Sequence, residues 1–355
     1  MKITNIIWRK ESFPLKTPFR IAIGEVTSMD TILLKIETDT ELFGYGEATP
    51  IPFVTGDNIE SCMVVLEVFK KILVGEDASC IGRIHDLMST AMVHNGAAKA
   101  AIDIALYDIA SKKAGLPLYK YLGGYGNTVE NDVTVGMDTP ENMAIKALGF
   151  RNDGVTLIKV KLGESMKLDT ERIKQIRKAI GNDITVRIDA NQGWSVNEAI
   201  EMSYILKEYN VEFMEQPCKR WDFEGMALIR QKAVLPVIAD ESCQGAVDAL
   251  KLVKLQACDA INIKLMKSDG IYGAAKINAI AEANGIYCMV GCMGETRVGI
   301  AAGLHFVAAN KNILTADLDS FHDMEKATIR GGFTFEGSHY TLSEEPGLGI
   351  IIDDF

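Results

Sequence analysis

The chain has 355 residues, 48% of them hydrophobic and 24% charged, with a formal net charge of −11. That length allows a barrel-sized domain with a smaller one attached, and the balance excludes disordered, collagen-like and membrane-spanning classes. The acidity, with no Lys/Arg run interleaved with aromatics, sets nucleic-acid binding aside.

In chain order, residues 5–8 (NIIW), 30–38 (DTILLKIET) and 41–48 (ELFGYGEA) read as an antiparallel meander. Helical patterns follow from Asn58 to Gly115. The clearest is AAKAAIDIALYDIASKKAGLP, with Ile102, Leu106 and Ile109 on one face and Gly115 then Pro117 as a stop. This texture predicts an α+β capping domain over residues 1–125, with Gly123, Gly124 and Gly126 turning the chain out of it.

From about residue 128, short β-branched runs recur at a nearly constant interval: 132–137, 156–162, 184–190, 211–216, 237–240, 260–265, 287–293 and 314–319. Helical stretches separate them. In LDTERIKQIRKAIG, for example, Asp169 is expected to cap the start, Ile173, Ile176 and Ile180 share a face, and Gly181 ends the helix. Eight such units imply a closed parallel (β/α)8 barrel, expected over residues 126–325; an open doubly wound sheet would show a G-x-G-x-x-G after its first strand, and none is present. Residues 326–355, with GGFTFEGSHYTL, read as short strands returning to the cap.

Functional side chains of a barrel sit at the C-terminal strand ends, where the loops form the mouth. Asp189, Glu215 and Asp240 end the third, fourth and fifth strands, so they occupy neighbouring rim positions. Three carboxylates so close repel one another unless a cation neutralises them, and an all-oxygen set with room for water or substrate suits Mg²⁺. The alternative, that each caps the following helix, is harder to sustain for three consecutive strands. Lysines flank the arc: Lys159 and Lys161 share a face of the second strand, and Lys264 lies on the sixth, across the cavity. A like charge and partial desolvation lower a lysine pKa, the direction a general base needs. A base on either side of one carbon, with a metal gripping the adjacent carboxylate, removes and returns a proton.

No histidine pair has zinc-ligand spacing among the five histidines, so zinc is not expected. The seven cysteines are scattered as reduced thiols would be, and no signal-like start or long apolar run is present, so a cytoplasmic location without a membrane partner is expected.

Together, Lys-Val-Lys at 159–161, Asp-Ala-Asn at 189–191, Glu-Gln-Pro at 215–217, Asp-Glu-Ser at 240–242 and Lys264 resemble the enolase superfamily, muconate-lactonizing subgroup, and within it the dipeptide epimerases. The resemblance covers essentially the whole chain. It implies a (β/α)7β-type modified TIM barrel under an α+β cap and one Mg²⁺ on Asp189, Glu215 and Asp240. It further implies Lys161 and Lys264 as acid/base catalysts, with Lys159 touching the substrate carboxylate. Asp317 and Asp319, spaced to face the same way on the eighth strand, look like the pair by which such epimerases hold a dipeptide's free ammonium. Thr134, Cys292 and Gly294 would line the pocket. The Ala-Glu epimerases of that group carry an arginine in a segment like T-P-F-x-x-A-R; TPFRIAIG puts Ile23 there, with Arg20 three residues earlier.

The resulting expectation is an isomerase that inverts the C-terminal residue of dipeptides with a small or apolar second residue, such as Ala-Ala, and that forms a homo-oligomer. The alternatives are an Ala-Glu epimerase, a muconate cycloisomerase or o-succinylbenzoate synthase using the same lysines, and a barrel that binds metal without turnover. A sugar-acid dehydratase of the superfamily would place a histidine where this chain has Cys292.

Overall fold

In the computed structural model, which describes residues 1–324 and 328–355, the N-terminal stretch rich in β-branched and aromatic residues forms an antiparallel sheet of β1 (Ile3–Ile21), β2 (Gly24–Thr38) and β3 (Phe43–Ala48). β1 and β2 make a long ribbon whose ladder is irregular between Pro14 and Phe19. Four helices complete the cap: α1 (Ile59–Leu73), α2 (Ile81–Ala91), α3 (Gly96–Ala114) and α4 (Leu118–Tyr121). α3 lies so close to β3 that a Cβ on Gly44 or Gly46 would stand 2.0 Å from the Ala105 carbonyl oxygen or 1.9 Å from that of Ala101. Contrary to the single apolar face expected, α3 is buried on nearly every side, Lys99, Asp103 and Asp108 included. The helix is clamped between the sheet and the barrel, and Asp103 accepts the amide of Ile271 from the barrel side.

β4 (Thr128–Glu130) leads into the barrel. There β5 (Val133–Val135), α5 (Pro140–Asn152), β6 (Leu157–Lys161), α6 (Met166–Ile180), β7 (Thr185–Asp189) and α7 (Val196–Glu208) alternate. They continue as β8 (Val211–Glu215), α8 (Phe223–Lys232), β9 (Val237–Ala239), α9 (Ala246–Leu255) and β10 (Ala260–Lys264). α10 (Ile271–Ala283), β11 (Tyr287–Gly291), α11 (Arg297–Ala309) and β12 (Ile313–Asp317) complete the series. All eight expected strands are present, each parallel to the next. The gap between β12 and β5 is bridged by Asn131 beside Ala316, with the Asp132 amide 3.0 Å from the Ala316 carbonyl. Eight strands and seven intervening helices make the (β/α)7β arrangement. A 3-10 turn (Ser320–Asp323) follows β12 where an eighth helix would stand.

The cap of α6 departs from expectation. Ser165, not Asp169, accepts the first-turn amide, while Asp169 is buried one turn in and takes hydrogen bonds from Gly163, Trp194 and Arg172. Ile173, Ile176 and Ile180 are buried, and Gly181, at φ 71°, ends the helix as read from the sequence.

The tail adds β13 (Ile329–Gly331), β14 (Phe333–Glu336), β15 (His339–Leu342) and β16 (Ile350–Ile352). β13 pairs with β16, and β15 joins β14 to β4. Arg9 meets Asp354 at 3.2 Å and the Tyr45 ring lies 5.6 Å from that of Phe355, tilted by 43°, so the end of the chain lies against the cap sheet. No helix among the described residues is long and apolar enough to cross a membrane.

Candidate active site

Lys161, Asp189, Glu215, Lys264 and Asp317 are each the last residue of a barrel strand. Parallel register sets Lys161 beside Asp189 and Asp189 beside Glu215, while Lys264, Gly291 and Asp317 align on the other arc. Asp240 directly follows β9. The helices after β7, β8 and β9 are capped by Ser195, Asp222 and Gly245, so the three rim acids are free of the capping role that competed for them.

Oxygens of Asp189, Glu215 and Asp240 lie within 4.8 Å of one another, all buried. Each carboxylate has one oxygen held by a fixed donor. The Asn191 amide donates to Asp189 Oδ1 at 2.8 Å, Asn262 Nδ2 to Glu215 Oε1 at 2.7 Å, and Lys267 Nζ to Asp240 Oδ1 at 2.5 Å. The other oxygens face the centre. Glu215 Oε2 and Asp240 Oδ2 accept no hydrogen bond, though Lys159 and Lys264 stand 2.8 and 2.9 Å from them. Three convergent carboxylate oxygens without hydrogen-bonding partners, or sharing a lysine as Asp189 Oδ2 does, fit a hard divalent cation such as Mg²⁺.

The lysines divide by depth. Lys161 Nζ lies 2.7 Å from Asp189 Oδ2, and Lys161 and Lys264 both line the cavity above the acids. Lys159 is completely buried beneath it and does not line it, contacting Asp317 at 2.6 Å, Glu215 at 2.8 Å and Asp189 at 3.2 Å. It binds these three acids and is not among the residues that face the cavity. Burial alone would lower the Lys159 and Lys264 ammonium pKa values, but the carboxylates outweigh it, chiefly Asp317 for Lys159 and Asp240 for Lys264, and hold both above the ordinary lysine value. For Lys159 and Lys264 the lowering expected from a like charge and burial is thus reversed. Burial would raise Asp189 and Asp240, yet Lys161 beside the one and Lys264 and Lys267 beside the other hold both below the usual carboxylate range, whereas burial pushes Glu215 up to about 7.

Asp317 and Asp319 line the opposite wall with Thr134, whose Oγ1 is 3.3 Å from Asp317 and whose amide donates to Asp319 at 2.6 Å. Burial would raise Asp317, but Lys159 holds it well below its ordinary value; burial and then Asp317 push Asp319 up to about 6. Cys292 also lines the cavity, as does Met293, while Gly294 does not.

The roof is apolar. Phe19, Ile21, Val26 and Met29 come from the β1–β2 ribbon and Ile51, Phe53 and Val54 from the loop after β3. Ile23 is not part of it; Gly24 is, with Phe53 so close that a Cβ on Gly24 would meet its ring at 2.9 Å. Arg20 faces a neighbouring hollow, 4.0 Å from Glu164. Sequence reading missed Asn262, Lys267 and Lys146, and gave no role to Asn191 and Glu241 although both stand in motifs it singled out. Asn262 shares the face of Lys264 two residues on, and Glu241 follows Asp240 directly, so period and adjacency would have found both; Lys267 sits in a turn, where no periodic signal exists.

A closed parallel barrel with an acid triad, flanking lysines and a cap-built roof defines a metal-assisted barrel protein. Residues 142–355 match the enolase C-terminal domain-like family, and residues 3–123 match the N-terminal domain of the mandelate racemase / muconate lactonizing enzyme family. The chain belongs to this enolase-superfamily group. It is 44% identical to the hydrophobic dipeptide epimerase of Enterococcus faecalis over 99% of each chain, and 41% identical to the L-Ala-D/L-Glu epimerase of Clostridium acetobutylicum, again over 99% of each. Its fold matches the crystal structure of the E. faecalis dipeptide epimerase with Mg and L-Leu-L-Tyr at a TM-score of 0.96 and 44% identity, covering 99% of this chain and 100% of that one.

Proposed function

We propose that the protein is a Mg²⁺-dependent dipeptide epimerase that inverts the α-carbon of a C-terminal residue with a small or apolar side chain. The observation that carries this reading is one cavity walled by Lys161, Lys264 and the Asp317/Asp319 pair, roofed by Phe19, Ile21, Ile51 and Phe53, above an acid triad. Asp189, Glu215 and Asp240 would hold the metal, which when bound supplies positive charge beside the substrate carboxylate and makes the neighbouring α-proton more acidic. Lys161 takes the proton from one face of the α-carbon and Lys264 returns one to the other, or the reverse for the opposite isomer. Asp317 and Asp319 bind the free ammonium, fixing which carbon lies between the amines. No arginine lines the cavity among the described residues, and its roof is apolar, so an acidic side chain there would be desolvated without a partner.

The likeness to relatives acting on hydrophobic dipeptides and on L-Ala-D/L-Glu supports the reaction, and the roof favours the apolar choice. We further divide the chain into a cap (residues 1–125), a catalytic barrel (126–325) and a returning tail (326–355), the last boundary lying outside the described residues. Incubation in D₂O with Mg²⁺ and a dipeptide library, followed by NMR, tests the reading. Deuterium should enter the C-terminal α-carbon, most rapidly for apolar second residues. Exchange absent from every dipeptide would remove the reaction; fastest exchange with Ala-Glu would remove the specificity alone.

A further inference from the structure

Lys267 is a charged side chain that the two-lysine reaction leaves unused. It sits in the turn after β10, its amide closing that turn on the Lys264 carbonyl at 2.9 Å, and it is 5% exposed. Its side chain crosses to the end of β9. There the ammonium donates to Asp240 Oδ1 at 2.5 Å, to the Asp240 carbonyl, and to the Asn262 carbonyl at 3.3 Å. An ammonium has three protons, and all three are spent. Lys267 does not line the cavity, so it has neither access to a substrate nor a donor left for one.

We propose that Lys267 is a positioning residue for Asp240. By holding Oδ1 and the main chain of the same residue, it makes Asp240 offer one oxygen, Oδ2, to a cation and keeps the other out of the coordination shell. Mg²⁺ demands near-octahedral geometry, so a carboxylate that swung to offer both oxygens would take a place needed by substrate or water. Asn262 does the same for Glu215 and the Asn191 amide for Asp189, but only Lys267 does it with a full charge. This inference rests on the triad being a metal site.

The charge gives the test a sign. A cation that merely balanced nearby acids would weaken metal binding by repulsion, and its removal would tighten it; a positioning residue, when lost, loosens it. Mn²⁺ affinity is measured by EPR on purified wild type, Lys267→Met and Lys267→Arg, with thermal unfolding of each recorded without metal. Methionine removes both charge and donor. Arginine keeps the charge but presents a planar fork that cannot reproduce three ammonium bonds. Both variants should bind Mn²⁺ roughly 10- to 100-fold more weakly, the usual cost of losing a partner that orients a ligand. Tighter binding by Lys267→Met, or wild-type affinity in Lys267→Arg, overturns the proposal. If Lys267→Met does not fold, Lys267→Arg decides alone. Wild type that binds no Mn²⁺ would instead sink the metal site itself.

Discussion

Lys159 Nζ lies 2.6 Å from Asp317 Oδ2, and the same ammonium is 2.8 Å from Glu215, so one fully buried cation joins Asp317 at the end of β12 to the triad at the ends of β7 to β9. Removing it would leave buried carboxylates facing one another without compensation. Lys159→Met should therefore destabilise the metal-free protein by about 3–5 kcal/mol, read from urea unfolding, the range for breaking a buried ion pair. Saturating Mg²⁺ should restore part of that loss, because a cation in the triad neutralises the same acids. Unchanged stability would mean that the acids are already protonated or hydrated, and that Lys159 is not their counter-ion.

Lys161 and Lys264 contact different ligands, Asp189 and Asp240, on opposite arcs of the rim. If each serves one face of the α-carbon, Lys161→Ala and Lys264→Ala should each lose epimerisation by roughly 10²- to 10⁴-fold or more. Each variant should still exchange the α-proton of one stereoisomer with D₂O, and the two should retain opposite isomers. NMR of L,L and L,D dipeptides in D₂O separates these outcomes. Retention of the same isomer by both would show that the amines do not flank the carbon.

The strand count and the triad were legible because both rest on spacing: β-branched runs recur, and Asp189, Glu215 and Asp240 fall at their ends. Depth was legible only in part. A period of two put Lys159 with Lys161 on one face, and the two-residue offset sets Lys159 about 6–7 Å deeper along the strand; that this makes one a cavity wall and the other a buried counter-ion depended on the acids packed around it. The ribbon tip has no period to read, which is why Ile23 was singled out where Gly24 lines the cavity. Asp169 attracted the cap assignment of α6 by residue type alone, while Ser165 had the extended backbone that a cap requires. α3 carries short alanines that pack on every side, so its burial followed from neighbours and not from its own pattern.

Asp319 carries a pH dependence. Burial and Asp317 push it up to about 6, against opposing help from the Thr134 amide, Lys146 and Lys159. An ammonium is held by the anion, so this binding is intact above about 6 and is lost as pH falls through that value. KM for an unblocked dipeptide should rise roughly tenfold per pH unit in the acid limb, as expected for one required ionisation. Asp319→Asn should raise KM at neutral pH and flatten that limb. Steady-state kinetics from pH 5 to 8 on both proteins checks it, and an acid limb that survives in Asp319→Asn would assign the ionisation elsewhere.

Phe53 tests the roof. Its ring overlies Gly24, in a wall where Ile21 and Ile51 also face the cavity. A side chain on the second substrate residue that reaches this wall leaves water for apolar contact, worth ~1.5–3 kcal/mol for a large aliphatic or aromatic group. Phe53→Ala should thus lower kcat/KM about 10- to 100-fold for dipeptides ending in leucine, phenylalanine or tyrosine, and much less for Ala-Ala, whose methyl is too short to reach. Deuterium exchange into Ala-Ala by this variant should stay near wild type. An equal loss for both substrate sizes would mean that Phe53 shapes the whole cavity, and that the specificity of the roof lies in the β1–β2 ribbon.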